Sequence, residues 1–134
     1  MEAFDPISFL ERNGLRATRP RVGIVRLLFA DGIDRHVSAE WVAENLKTSG
    51  QHVALATVYN TLHSFAEAGV LRLVGSAATG VNLFDTNTIP HHHFYNETTG
   101  ELTDIPADTM DLLNAPELPA GTNLVGCDVI FRVR

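Results

Sequence analysis

Hydrophobic positions recur at helical spacing through the first half of the chain and at strand spacing through the second. Asp5-Pro6 reads as an N-cap followed by a first-turn proline, with Ile7, Phe9 and Leu10 on one face and Asn13-Gly14 as the stop. Thr18 caps a second helix in which Val22, Val25, Leu28 and Phe29 recur, and Asp31-Gly32 ends it. Ser38 caps a third helix carrying Trp41, Val42 and Leu46, closed before Gly50. A fourth is predicted from about Thr57 to Ala68, with Val58, Leu62 and Phe65 inward and Gly69 after it. Two β-prone runs, Val70–Val74 and Val81–Phe84, flank the turn-rich stretch Gly75–Gly80.

Helix, short turn, helix and then a hairpin is the order of a winged helix-turn-helix. In that arrangement the helix from residue 57 enters the major groove of DNA and the hairpin lies against the backbone. The polar stretch Asp85–Pro90 reads as a hinge. Beyond it, His91–Tyr95 and Glu101–Ile105 read as strands around the turn Asn96–Gly100, Asp108–Leu113 as a short helix, and Leu124–Val133 as the longest β-prone run. The fold class is therefore α+β. A winged-helix DNA-binding domain covers residues 1–84, a hinge 85–90, and a small α/β dimerisation and ligand-sensing domain 91–134. A sheet of about three strands with one helix is marginal alone, so a homodimer is expected, which also suits a palindromic operator.

Composition changes this picture at three points. No apolar run reaches the roughly 20 residues of a membrane span, so no membrane partner is expected. Met1–Pro6 lacks the basic and apolar regions of a secretory signal, and the expected location is the cytoplasm. The net charge of −6 opposes nucleic-acid binding until it is split by position. Residues 1–73 hold eight bases and eight acids, whereas residues 74–134 hold two bases and eight acids. Arg16, Arg19, Arg21 and Arg26 can thus face phosphates on an acidic protein.

Chemistry concentrates in His91-His92-His93. Side chains alternate along a strand, so His91 and His93 share one face and His92 points to the other. Two imidazoles on one face begin a site for a borderline metal ion, and Asp85 and Asp104 are the carboxylates within reach. A hairpin turning at Thr98-Thr99 brings Asp104 back toward His93. Mixed imidazole and carboxylate donors favour manganese, iron or zinc over a thiolate-preferring ion. The lone Cys127 excludes an intramolecular disulfide and a four-thiolate zinc site. It is expected inside the last strand as a buried thiol.

Several segments, in order, resemble the ferric uptake regulator family. Gly14-Leu15-Arg16-Ala17-Thr18-Arg19-Pro20-Arg21 is similar to the family's GLRxTxxR opening, and His36-Val37-Ser38-Ala39-Glu40 to its HxxAE. Leu55-Ala56-Thr57-Val58-Tyr59-Asn60-Thr61-Leu62 resembles its recognition helix, and His91–His93 stands where its histidine strand begins. The resemblance implies a regulator of iron or haem homeostasis, mainly a repressor, binding double-stranded DNA through Arg16, Arg19, Thr57, Tyr59 and Asn60. It implies a regulatory metal site of His36, Asp85, His91, His93 and Asp104 holding Fe2+ or Mn2+, or Zn2+ in vitro.

Two departures from the family pattern matter. Asn96-Glu97-Thr98-Thr99 stands where most members carry CxxC, so no structural zinc is expected. That loss, the run His91-His92-His93-Phe94 and the ending Arg132-Val133-Arg134 resemble the haem-sensing iron response regulator subfamily. This implies haem binding at His91, His92 and His93, with His92 as a candidate axial ligand. The second departure is Asn60, where many relatives have arginine. Arginine reads guanine and asparagine reads adenine, so an operator leaning toward A·T is expected. His52 and His63 are expected on the surface. A metallohydrolase is disfavoured, because five protein ligands leave no open position or general base. A metal carrier has no use for the helix at 55–62. An alternative within the family is a manganese-, iron- or peroxide-responsive repressor without haem control.

Overall fold

A computed structural model of the chain describes residues 3–74, 80–89, 91–106, 116–124 and 127–134. It divides into two units, Met1–Thr88 and Ile89–Arg134. The architecture is α+β in both sequence order and content.

The first unit contains α1 (Pro6–Arg12), α2 (Arg19–Phe29), β1 (His36–Val37), α3 (Ala39–Thr48), α4 (Leu55–Glu67), β2 (Arg72–Val74) and β3 (Leu83–Asp85). Side-chain caps start three of the helices. Asp5 accepts from the Ile7 and Ser8 amides, Thr18 from Arg21, and Ser38 from Trp41. α4 starts two residues before the predicted Thr57, because Leu55 and Ala56 are good helix formers and the chain turns in at Ala54 with no capping side chain. The apolar stripes meet in one core. Leu10, Ile24, Val25, Leu28, Val42, Val58, Leu62, Phe65 and Phe84 are fully excluded from water. Burying each stabilises the unit by about 1.5–3 kcal/mol before chain entropy is subtracted. Ile7, expected inward, is exposed, while Leu10 enters the core and Phe9 packs against it half-buried.

The unit's three strands form an antiparallel sheet in the order β1-β3-β2. The sequence pattern missed β1, since two residues carry no periodicity. It is built from outside: Arg35 donates its amide to Thr86 Oγ1 and accepts at its carbonyl from the Thr86 amide. The Arg35 guanidinium also bonds the Leu27 and Leu28 carbonyls at the end of α2, and pairs with Asp31 at 2.7 Å. Asp85, expected at the start of the hinge, is instead the last residue of β3 and pairs across the sheet with His36.

The second unit holds β4 (His92–Asn96), β5 (Leu102–Ile105) and β6 (Ile130–Val133), in the order β5-β4-β6. β4 and β5 form a tight antiparallel hairpin. Asn96 Oδ1 accepts from the Thr98 and Thr99 amides, and Gly100 takes φ +77°, a conformation that a side chain would disfavour. β4 and β6 run parallel. The expected helix at Asp108–Leu113 lies outside the described residues. Of the predicted strand 124–133, the described residues 127–129 precede the ladder with β4, which begins at Ile130 opposite His93. Cys127 therefore precedes the strand and is exposed, not buried.

Candidate metal centre and nucleic-acid interface

Each unit gathers part of the predicted ligand set by strand register. In the first, His36 on β1 and Asp85 on β3 are cross-strand partners, and their side chains meet with His36 Nε2 3.0 Å from Asp85 Oδ2. Asp85 is fully buried, and its other oxygen accepts from the Asn87 amide. That bond leaves the two carboxylate oxygens with different tasks: one is tied to the backbone, the other aimed at the imidazole.

In the second unit, His93 on β4 faces Asp104 on β5, again as register partners. His91 lies two residues before His93, on the same side. Both Nε2 atoms converge on one oxygen, Asp104 Oδ1, at 3.1 Å from His91 and 3.3 Å from His93. The rings stand edge to face with centroids 4.6 Å apart. His93 is only 1% exposed and His91 5%. His91 Nδ1 lies 2.6 Å from the Ile89 carbonyl oxygen. A carbonyl can only accept, so Nδ1 carries the hydrogen. In the neutral ring Nε2 then bears a lone pair aimed at a carboxylate oxygen. Two lone pairs at that distance repel unless a proton or cation lies between them.

The spacing fits a metal ion. Donors bound to one ion at about 2.1 Å, with angles of about 90–110° between them, sit about 3.0–3.4 Å apart. The three imidazole–carboxylate separations fall in that range. The Ile89 carbonyl supplies the outer partner that metal-bound imidazoles characteristically have.

His92 is arranged differently. It points to the other face of β4, where its Nδ1 accepts from the Val129 amide at 3.0 Å. That bond keeps the ring hydrogen on Nε2 and pins the segment entering β6.

The predicted DNA-facing residues lie on the first unit. Arg16, Arg19, Thr57, Tyr59 and Asn60 are all exposed, whereas Val58, Thr61, Leu62 and Phe65 of the same helix are buried. α4 thus divides into a core face and an open polar face. Arg21 donates to the Arg16 carbonyl, and Gln51 Nε2 to that of Arg19, which fixes the backbone at both arginines. His52 is exposed as expected. His63 is not: it is half-buried between Tyr59 and Phe84, and its Nε2 is shielded from water. Sequence reading placed it on the surface because a histidine at this helical position looks the same on an open or a covered face. It missed Asn82 as well, which bonds the Tyr59 hydroxyl across 23 residues of sequence.

Residues 12–131 match the Ferric uptake regulator family. The chain belongs to the ferric uptake regulator family. A ferric uptake regulation protein of Neisseria meningitidis is 34% identical over 105 residues, covering 78% of this chain and 72% of that protein. The peroxide-responsive repressor PerR of Staphylococcus saprophyticus is 28% identical over 107 residues, covering 80% and 70% respectively. The ferric uptake regulator of Pseudomonas aeruginosa, solved with manganese, superposes with a TM-score of 0.71 at 28% identity over 98% of both chains. Members of the ferric uptake regulator family are metal-responsive transcriptional regulators that bind DNA as dimers, and they are not enzymes. No described helix of this member is long and apolar enough to cross a membrane.

Proposed function

We propose that this chain is a cytoplasmic, metal-dependent repressor. One divalent ion, Mn2+ or Fe2+ (Zn2+ in vitro), is held jointly by His36 and Asp85 of the first unit and His91, His93 and Asp104 of the second. The observation that carries this reading is the convergence of two buried Nε2 atoms on a single Asp104 oxygen, with the tautomer of His91 fixed by the Ile89 carbonyl. Two donors from one unit and three from the other fall short of a five-ligand set unless they act together. A bound cation supplies the positive charge that lets these lone pairs share one point. The chain's own contribution is to present them in register, from strands that are already paired. Residues 1–88 and 91–134 are then the DNA-binding and the dimerisation and sensing domains, with the connection between them as the hinge.

On DNA, α4 would lie in the major groove with Tyr59 and Asn60 toward the bases. Thr57 stands at its start, and Arg16 and Arg19 would meet phosphates. Asn60 would favour adenine, because its amide matches the N6/N7 edge. The second unit supplies a reason to dimerise. Phe94 and Phe131 lie side by side with tilted rings, centroids 5.9 Å apart, on the face opposite His93 and stay 44% and 47% exposed, with Val133 beside them. A second copy would cover this patch.

The test is duplex binding with and without metal. A labelled duplex is selected from a random pool by the Mn2+-loaded protein, and its retardation is measured in Mn2+ and in chelator. Metal-dependent retardation that disappears in His36→Ala and His91→Ala, with folding intact by circular dichroism, is expected. Equal binding in chelator would overturn the proposal.

Control of iron and haem homeostasis through haem is a finer reading, and the geometry favours the ion instead. An axial ligand needs a nitrogen lone pair facing the haem iron. His91 directs its Nε2 lone pair at Asp104, His93 places Nε2 3.3 Å from the same carboxylate oxygen, and His92 uses the lone pair of Nδ1 to accept from Val129. A haem titration with no saturable Soret shift is expected. Peroxide sensing has an observation behind it, namely the two aspartates among the five candidate ligands together with the 28% identity to PerR. On that reading Fe2+-loaded protein treated with peroxide gains one oxygen atom on a ligand histidine, read by peptide mass, and Mn2+-loaded protein does not.

A further inference from the structure

We propose that β3 carries the state of Asp85 to the DNA-facing Tyr59, with Asn82 and His63 as positioning residues. The inference rests on the metal- and DNA-binding reading above and adds the link between its two ends within the first unit.

Three residues of the segment 82–85 and two of α4 make the link. Asp85 closes β3 and faces His36. Phe84, next to it, is fully buried and meets the His63 ring edge-on, with centroids 5.1 Å apart and planes at 87°. His63 in turn lies against Tyr59, at 4.4 Å. Asn82, just before β3, donates from Nδ2 to the Tyr59 hydroxyl at 2.7 Å. Tyr59 is therefore held twice by β3 and the residue that precedes it, at its ring through Phe84 and His63 and at its hydroxyl through Asn82. A strand advances about 3.3 Å per residue, so all three contacts fall within roughly 10 Å of backbone.

The chemistry of each contact defines its role. Because the Tyr59 oxygen accepts from Asn82, its own hydrogen is directed elsewhere and remains able to donate to a phosphate or base edge. Tyr59 is 39% exposed, so that donor is reachable. The Nε2 of His63 is buried and makes no hydrogen bond among the described residues. His63 therefore acts through its ring, as a flat spacer between Phe84 and Tyr59. β3 is clamped between β1 and β2, where Asp85 stands opposite both His36 and Arg72. A change in the Asp85–His36 separation on ion binding moves a packed strand as a unit. The ion biases Tyr59 only by the difference in its affinity for the two strand positions.

The experiment uses the full chain and the duplex enriched by the parent protein. Affinity is measured by fluorescence anisotropy in Mn2+ and in chelator, and the ratio of the two is the coupling. Mn2+ affinity of the free protein is followed by the paramagnetic resonance of unbound Mn2+. Asn82→Ala and His63→Ala are expected to cut the ratio about three- to tenfold, the scale of one net hydrogen bond or ring contact, with Mn2+ affinity nearly unchanged. His63→Phe, which keeps the ring, restores it. In a Tyr59→Phe background, Asn82→Ala has little further effect, because its route to DNA is already cut. Should His63→Ala fail to fold, His63→Phe and the Asn82/Tyr59 cycle decide. The inference is overturned if Asn82→Ala weakens binding equally in Mn2+ and chelator, or acts as strongly without the Tyr59 hydroxyl. A parent ratio near one instead removes the metal-dependent reading, and this link with it.

Discussion

Asp104 presents one oxygen to two imidazole nitrogens, so its charge rather than its shape should decide whether an ion is held. Asp104→Asn keeps the volume and removes the charge. We predict that it weakens Mn2+ binding by more than the roughly 10- to 100-fold typical of changes to groups outside the ligand shell. A dissociation constant within tenfold of the parent by calorimetry would show that Asp104 is not a ligand. In the first unit, hydrogen bonds from the Arg35 side chain and the Ile33 amide lower the Asp31 carboxyl from 3.8 to about 2. Its value in the folded protein lies below that of the unfolded chain, so its stabilisation is fully present above about pH 4 and is lost as pH falls toward 2. In Asp31→Asn the acid limb of the stability curve should flatten across that window. Melting temperatures that drop in parallel with the parent's between pH 5 and 2 would contradict this. Asp31 is exposed, so the effect should be small and should shrink with added salt.

At the scale of elements, the β4–β5 hairpin does the geometric work by placing Asp104 opposite His93. Strand side chains alternate, so a slip of one residue sends Asp104 to the other face. Deleting Thr99 shortens the turn that Asn96 and Gly100 define, and we expect Mn2+ affinity to collapse while the first unit still melts cooperatively. Retained affinity would mean the hairpin re-forms in the old register through a different turn. This hairpin was legible in sequence, because the Asn96–Gly100 turn and the alternation of His91 and His93 are local signals. The winged-helix order and the inward face of α4 were legible for the same reason. β1 was not, since two residues held by Arg35–Thr86 bonds across about 50 positions leave no local trace. Asn82, His63 and the exposed Cys127 escaped for a related cause: each is defined by what another segment places beside it.

For the whole molecule, the exposed Phe94–Phe131 pair is the face proposed above for contact with a second copy. Phe131→Glu should shift the protein toward monomer in sedimentation and weaken binding to a palindromic duplex more than to a single half-site. An unchanged sedimentation coefficient would place the dimer contact elsewhere. The pairing of β4 also has a kinetic consequence. Its antiparallel partner follows across a five-residue turn, whereas its parallel partner is 37 positions away. Loop closure makes the nearer pairing fast and the farther one slow. During refolding the histidine strand should therefore pass through a period with one ladder edge bare and Phe94 open, the state most prone to stick to another chain. Refolding yield should fall as protein concentration rises and recover when a peptide spanning residues 127–134 is supplied in excess. A yield indifferent to both would mean that β6 docks before the hairpin closes.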